Sequence, residues 1–184
     1  MKTELKTAPS LQAISVDQAK SQTNTEHDED DVQFSGWIDA ATAYAEHYTG
    51  TKLLTQTWTV YADSFVDVEL PFTPIQSVVV NYNDTAGDSQ TLDPAGYYLD
   101  SKSYPARIVF LDFPGTDVGF NNVMIDVVCG YTAANLVPPA ITAALLMHVA
   151  TLSENREDII VGTIVASVPT GVTSHLDAEK VSYL

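Results

Sequence analysis

FSGWIDAATAYAEHYTGTKLLTQTWTV, residues 34–60, changes its hydrophobic period partway along, and that change decides the fold class. Up to Tyr48 the apolar positions are Phe34, Trp37, Ile38, Ala41, Tyr44, Ala45 and Tyr48. This i, i+3, i+4, i+7 spacing is that of one buried helix face. Gly50 suits the position just past the helix end, where a left-handed backbone is needed. From Leu53 the period drops to two, with Trp58 and Val60 alternating with threonines, as in a half-buried strand. A helix that turns directly into a strand predicts an α+β chain.

Working outward, the run Glu26-His27-Asp28-Glu29-Asp30-Asp31 precedes this helix and matches the positive end of its dipole. Ser15 with Gln18 three residues later predicts a capping box and a short helix continuing through Val16, Ala19 and Lys20. Residues 1–14 are polar, carry no period and read as an arm. On the other side, Val66, Val68 and Leu70 alternate with Asp67 and Glu69. After Pro71 and Pro74, Val78, Val80 and Tyr82 share one face of a further strand. Asp84-Thr85-Ala86-Gly87-Asp88 reads as a hairpin loop and Asp93-Pro94-Ala95-Gly96 as a turn. Arg107 to Leu111 and Val123 to Val128 are two more strands, so 53–131 is a mostly antiparallel β insertion. At Pro138-Pro139 the pattern returns to helix. Ile141 to Leu152 is apolar almost all round, which predicts the most buried element.

The expectation is one domain over 1–184: an arm (1–14), helices (15–50), the β insertion (53–131), a buried helix (138–158) and a tail (159–184). The helices from both ends pack on each other and the β region projects from them. The tail mixes β-branched residues with Pro169 and Gly171 and reads as extended, with a short helix near Asp177 to Val181 as an option.

Bulk properties narrow the function classes. Hydrophobic residues are 45% of 184, enough for a real core. No run approaches the ~18 consecutive apolar residues of a membrane span. The first residues lack the apolar stretch of a signal peptide. Cys129 is the single cysteine, so no internal disulfide forms, and synthesis in the cytoplasm is expected. Eight Lys+Arg against 24 Asp+Glu give a net charge of −16. Gripping nucleic acid requires cations against phosphates, so tight direct DNA binding is not expected. Two readings of the acidity stand side by side: solubility, or a wall that repels phosphates and keeps passing DNA mobile.

No catalytic, metal or cofactor site emerges. In the acidic run 26–31 the alternate-ligand series of a calcium loop breaks at Val32, and Gln33 stands where that loop needs glycine. The run reads as a solvated helix start. His27, His47, His148 and His175 contain no His-x-x-x-His pair. His148 lies in the apolar helix and reads as a core histidine with one hydrogen-bond partner, against the sharper reading of a buried base. Cys129 has no nearby basic residue to activate it and reads as a buried thiol. No phosphate-binding loop, dinucleotide fingerprint or nucleophile elbow is present. Tyr97-Tyr98 follows a turn, so one of the two should face outward and serve a protein interface.

Taken in order, the pieces resemble the head–tail connector (adaptor) proteins of long-tailed bacteriophages. Ser15 to Lys20 is similar to that family's opening helix, followed by the acidic run. Ile38 to Gly50 resembles its alanine-rich central helix with an aromatic–Thr–Gly ending. Leu53-Leu54-Thr55-Gln56-Thr57-Trp58 is the most specific piece, the Thr-Gln-Thr-Trp tetrapeptide at a helix-to-strand junction. Glu69-Leu70-Pro71, Pro74 to Val78, Tyr98-Leu99-Asp100, Pro105 to Ile108, Gly130-Tyr131, Val137 to Ile141, Glu154 to Glu157 and Val168 to Val172 continue the likeness to about residue 172. Thr173 to Leu184 departs from it: it carries only Leu176, Leu184 and the single base Lys180, where the family has a leucine-rich turn and an arginine.

The resemblance implies a structural virion protein at the head–tail interface, assembled in the host cytoplasm, with no enzymatic activity and no cofactor. It implies a homo-oligomeric ring of 12 copies between the portal protein and a tail-side stopper or head-closure protein. DNA would pass through the lumen without specific binding. On this reading Val168, Pro169, Thr170, Gly171, Val172, Tyr183 and Leu184 meet the portal, and Asp84, Thr85, Ala86, Gly87 and Asp88 form a tail-facing loop. The alternatives weighed are a soluble β-rich module that binds a sugar or peptide, and a hydrolase built on His148.

Overall fold

The computed structural model describes residues 2–117, 119–155 and 170–181, which fall into two compact units. One is built from residues 2–10 with Thr55–Tyr131, the other from Leu11–Leu54 with the described part of Thr132–Val181.

The first unit is all β. A five-stranded antiparallel sheet runs in the order β1 (Lys2–Thr7), β2 (Gln56–Ala62), β8 (Val123–Cys129), β4 (Ile75–Asn83), β5 (Ser89–Thr91). A second antiparallel sheet has the order β3 (Val68–Leu70), β7 (Ala106–Phe110), β6 (Tyr97–Asp100). Burial alternates along β3, β7 and β8, as the two-residue period requires of a half-buried strand. In β8, Val123, Ile125, Val127 and Cys129 point inward, and in β7 Ala106, Ile108 and Phe110 do so. The inner faces of both sheets meet in one cluster that includes Val60, Leu70, Val80, Ile108 and Ile125. Trp58 stacks on Phe72 with ring centroids 5.4 Å apart.

The second unit is helical. α1 (Val16–Thr23) has the expected capping box: Ser15 accepts from the Gln18 amide and Gln18 accepts from the Ser15 amide. α2 (Asp31–Thr49) ends at Gly50, whose φ of 75° is the left-handed cap glycine supports. α3 (Pro139–Glu154) exposes no residue between Ile141 and Ser153. α1 and α2 both pack on α3, as the periodicity implied, and Phe34, Ile38 and Ala41 of α2 and Ile141, Leu145 and Val149 of α3 are buried.

Two parts of the expectation need correcting. The tail is not extended where it is described: Thr170–Asp177 form α4, which packs on α3 and α2. Its apolar residues are only Val172 and Leu176, one turn apart, and both are buried by neighbours far away in sequence. A single pair is too little for a period to be read, and Pro169 and Gly171 pointed the other way. The arm, likewise, is not irregular. Its first residues form β1, an edge strand recruited by the unsatisfied ladder of β2 although none of its side chains is buried.

Candidate assembly surfaces

Groups that could do chemistry are occupied structurally. Asp28 and Asp31 of the acidic run hold the nearly buried Lys20, with Nζ to carboxylate distances of 2.5 and 2.9 Å. This raises the lysine pKa and lowers that of Asp28, in each case chiefly through their shared hydrogen bond. His148 is buried and meets the ring of Tyr44 edge-on at 5.0 Å. Its Nδ1 has no hydrogen-bond partner among the described residues, so the single partner expected from the sequence is not seen at that atom. Burial pushes its pKa below the ordinary value, and among the described residues no acid bonds that nitrogen to orient a base. Cys129 is fully buried, with Sγ 3.7 Å from the Gln56 carbonyl.

Outward surfaces are better built. The loop 84–88 is organised around Asp84, whose carboxylate accepts from the amides of Ala86 (2.9 Å) and Asp88 (3.0 Å) and from Gln90 Nε2 (3.1 Å). Those amide bonds, led by that of Asp88, lower its pKa. Gly87 takes a φ of 84° to close the turn. The loop therefore presents Thr85, Ala86 and Asp88 on a fixed frame.

Tyr97 and Tyr98 separate as the turn predicted. Tyr97 is buried and donates its hydroxyl to the Val78 carbonyl at 3.1 Å, while Tyr98 is 68% exposed. Opposite Tyr98 stands Val109, also exposed, and Asp100 stands opposite Arg107, so the outer face of the smaller sheet combines apolar and charged groups. Leu111 and Phe113 extend the apolar surface beyond β7. Exposed aromatic and arginine side chains together are typical of protein contact surfaces.

The residues expected to meet the portal divide. Thr170, Gly171 and Val172 open α4; Val172 is 1% exposed, and a Cβ on Gly171 would lie 2.7 Å from Met147 Cε. Gly171 and Val172 therefore work in packing. Val168, Pro169, Tyr183 and Leu184 lie outside the described residues. The chain after α4 is latched to the end of α2. Tyr48 donates to Asp177 at 2.6 Å, Lys180 Nζ sits 5.0 Å from the Tyr48 ring centroid, and the Val181 amide donates to the Thr49 carbonyl at 2.9 Å. Sequence reasoning missed this latch and the ion pair between Lys6 and Asp126, because each joins residues more than a hundred positions apart.

The model of the phage gp6-like head–tail connector protein family matches residues 13–92, somewhat less than half of the chain, and the motifs from Ser15 to Val78 lie within that match. No curated protein sequence matches the chain. Among solved structures, chains in the neck of an empty gene transfer agent particle with C6 symmetry and in the virion of a native gene transfer agent particle each align with a TM-score of 0.82 at 21% identity. Each alignment covers 100% of this chain and 97% of the other. A chain in the neck of a native gene transfer agent particle with C12 symmetry aligns over the same shares with a TM-score of 0.77 at 20% identity. At such identities the likeness is one of fold.

Proposed function

We propose that this protein is a structural head–tail connector whose copies close into a ring between the portal and the tail-side stopper. The observation that carries the reading is the match of residues 13–92 to the connector family. The whole-length likeness of fold to chains from particle necks supports it. No step of such a function needs a reactive group; it needs one face of each copy to fit a different face of the next, so that rotation closes the ring. Twelve copies is the number we propose, in keeping with the C12 neck. Acidic side chains facing the lumen would repel phosphates and let DNA slide, which suits a net charge of −16. The protein would act at the head–tail interface of a virion after assembly in the host cytoplasm.

Within this reading the 84–88 loop faces the tail, and Tyr183 and Leu184 with Val168, Pro169 and Thr170 face the portal, while Gly171 and Val172 serve the packing of α4. The packing of α4 sets how the second assignment is tested. Cutting ahead of α4 would remove Val172 and Leu176 from the helical core, so the chain should instead be cut after Val181, leaving α4 and its latch in place. Loss of portal co-sedimentation with the helical content unchanged is expected. Full retention would remove Tyr183 and Leu184 from the portal contact. Imaging the full chain with a portal protein tests the ring, and a monomer that never joins the portal would overturn it.

A further inference from the structure

We propose that β1 is an exchangeable arm, and that the β2 edge beneath it is a strand-accepting site filled in the assembled ring by β1 of a second copy of this chain. The proposal rests on the ring reading above. All six residues of β1 are exposed, so the strand itself adds no side chain to the apolar core. What holds it is the ladder to β2 and a few polar contacts at its surface. Removing it leaves the β2 edge with unpaired amides and carbonyls, a template for another strand.

The site is selective because of Lys6. The register passes from Leu5↔Trp58 to Thr7↔Thr57, so Lys6 is the extra residue of a bulge, a device that re-aims a side chain. Its Nζ lies 2.6 Å from Asp126 Oδ2. Asp126 belongs to β8 and also accepts from Thr59 of β2 (2.6 Å) and Asn81 of β4 (3.2 Å). Its side chain is 13% exposed against 56% for Lys6. The socket is thus built by three strands that do not need β1, and without β1 its carboxylate keeps two neutral donors and lacks this cation. At the other end Lys2 Nζ lies 5.4 Å from the centroid of the Tyr61 ring, and Tyr61 donates to Glu4 at 3.2 Å.

Charge argues for a second copy as occupant. Lys2 and Lys6 are two of the chain's 8 cations, placed within six residues of a molecule whose net charge is −16. Copies of so acidic a chain repel one another, and a basic strand that docks on a neighbour's carboxylate offsets that repulsion where the copies meet. The hinge needed for exchange is the exposed segment Ala8-Pro9-Ser10, which links β1 to the other unit.

The test uses two full-length chains carrying different tags, one with Lys2→Cys and the other with Tyr61→Cys; these positions face each other across the β1–β2 ladder. Cys129, fully buried, stays in place. The chains are mixed, allowed to assemble, oxidised and run without reductant, while native mass measurement reports the oligomer. A mixed-tag disulfide dimer at least tenfold above same-tag dimers in the oligomer is the expected result. Adding Lys6→Ala to the Lys2→Cys chain should lower it at least fivefold, and Lys102→Ala should not. A chain carrying both cysteines controls for geometry. If that chain cross-links only within itself and the mixed pair stays apart in an oligomer of normal mass, exchange is refuted and the ring stands. If no oligomer forms even with a portal protein, the ring reading fails and exchange between copies fails with it.

Discussion

Leu176 separates a packed α4 from a free tail more sharply than any other residue. It is fully buried in the helical unit, and truncating it to alanine removes three side-chain carbons from a site lined by α2 and α3. Leu→Ala in such a site costs about 2–5 kcal/mol, the lower values applying where neighbours relax into the gap. At a central figure of about 3 kcal/mol and roughly 2–4 °C per kcal/mol for a chain of this size, the thermal midpoint should fall by about 6–12 °C. Val32, 85% exposed on α2, supplies the control: Val32→Ala should stay within about 0.5 kcal/mol. Trp37 lies in the helical unit and Trp58 in the β unit, so a Trp58→Phe background makes tryptophan fluorescence a reporter of the helical unit alone. Urea titration of that background with and without Leu176→Ala gives the free-energy difference directly. A Leu176→Ala midpoint no different from that of Val32→Ala would refute the packing of α4 and return the segment to a loose tail.

Other perturbations read other parts of the molecule. Ile125→Val removes one buried methyl at the centre of β8 and should lower the stability of the β unit by about 0.5–1.5 kcal/mol in urea titration, leaving the Trp37 signal in place. His148 is held neutral by burial, so its folded pKa lies below the unfolded value of 6.5. The unfolded chain then takes up the extra proton first. This contribution leaves stability intact above about pH 6.5 and erodes it as pH falls from there towards the folded pKa. Urea midpoints compared between about pH 5 and 7.5 should show a shallower slope for His148→Phe, and identical slopes would count against the burial argument. Asp84 has the same sign in a more acidic range: its folded pKa is lowered, so its support of the hairpin is present above the ordinary carboxylate value and fades as pH falls through the folded one. Asp84→Ala should speed amide hydrogen exchange at Ala86 and Asp88 specifically, and unchanged protection at both would show that the backbone alone holds the loop.

Local signals in the chain determined the α+β class, the starts of α1 and α3, both ends of α2, and most of the strands. The stripe from Phe34 to Tyr48, the Ser15–Gln18 capping box, Gly50 and the alternation in β8 each need only neighbours within a few residues, so each was readable without knowing the fold. The family's motifs were legible for the same reason, being short and in order. Tertiary structure alone decided what depends on partners remote in sequence. β1 is a strand because β2 had an open edge, α4 is a helix because Val172 and Leu176 found a cover on α3 and α2, and Asp126 became a socket because three strands brought Thr59, Asn81 and Lys6 to it. The energy that orders these pieces comes from surfaces formed only once the rest has folded, and no window of neighbouring residues contains that surface.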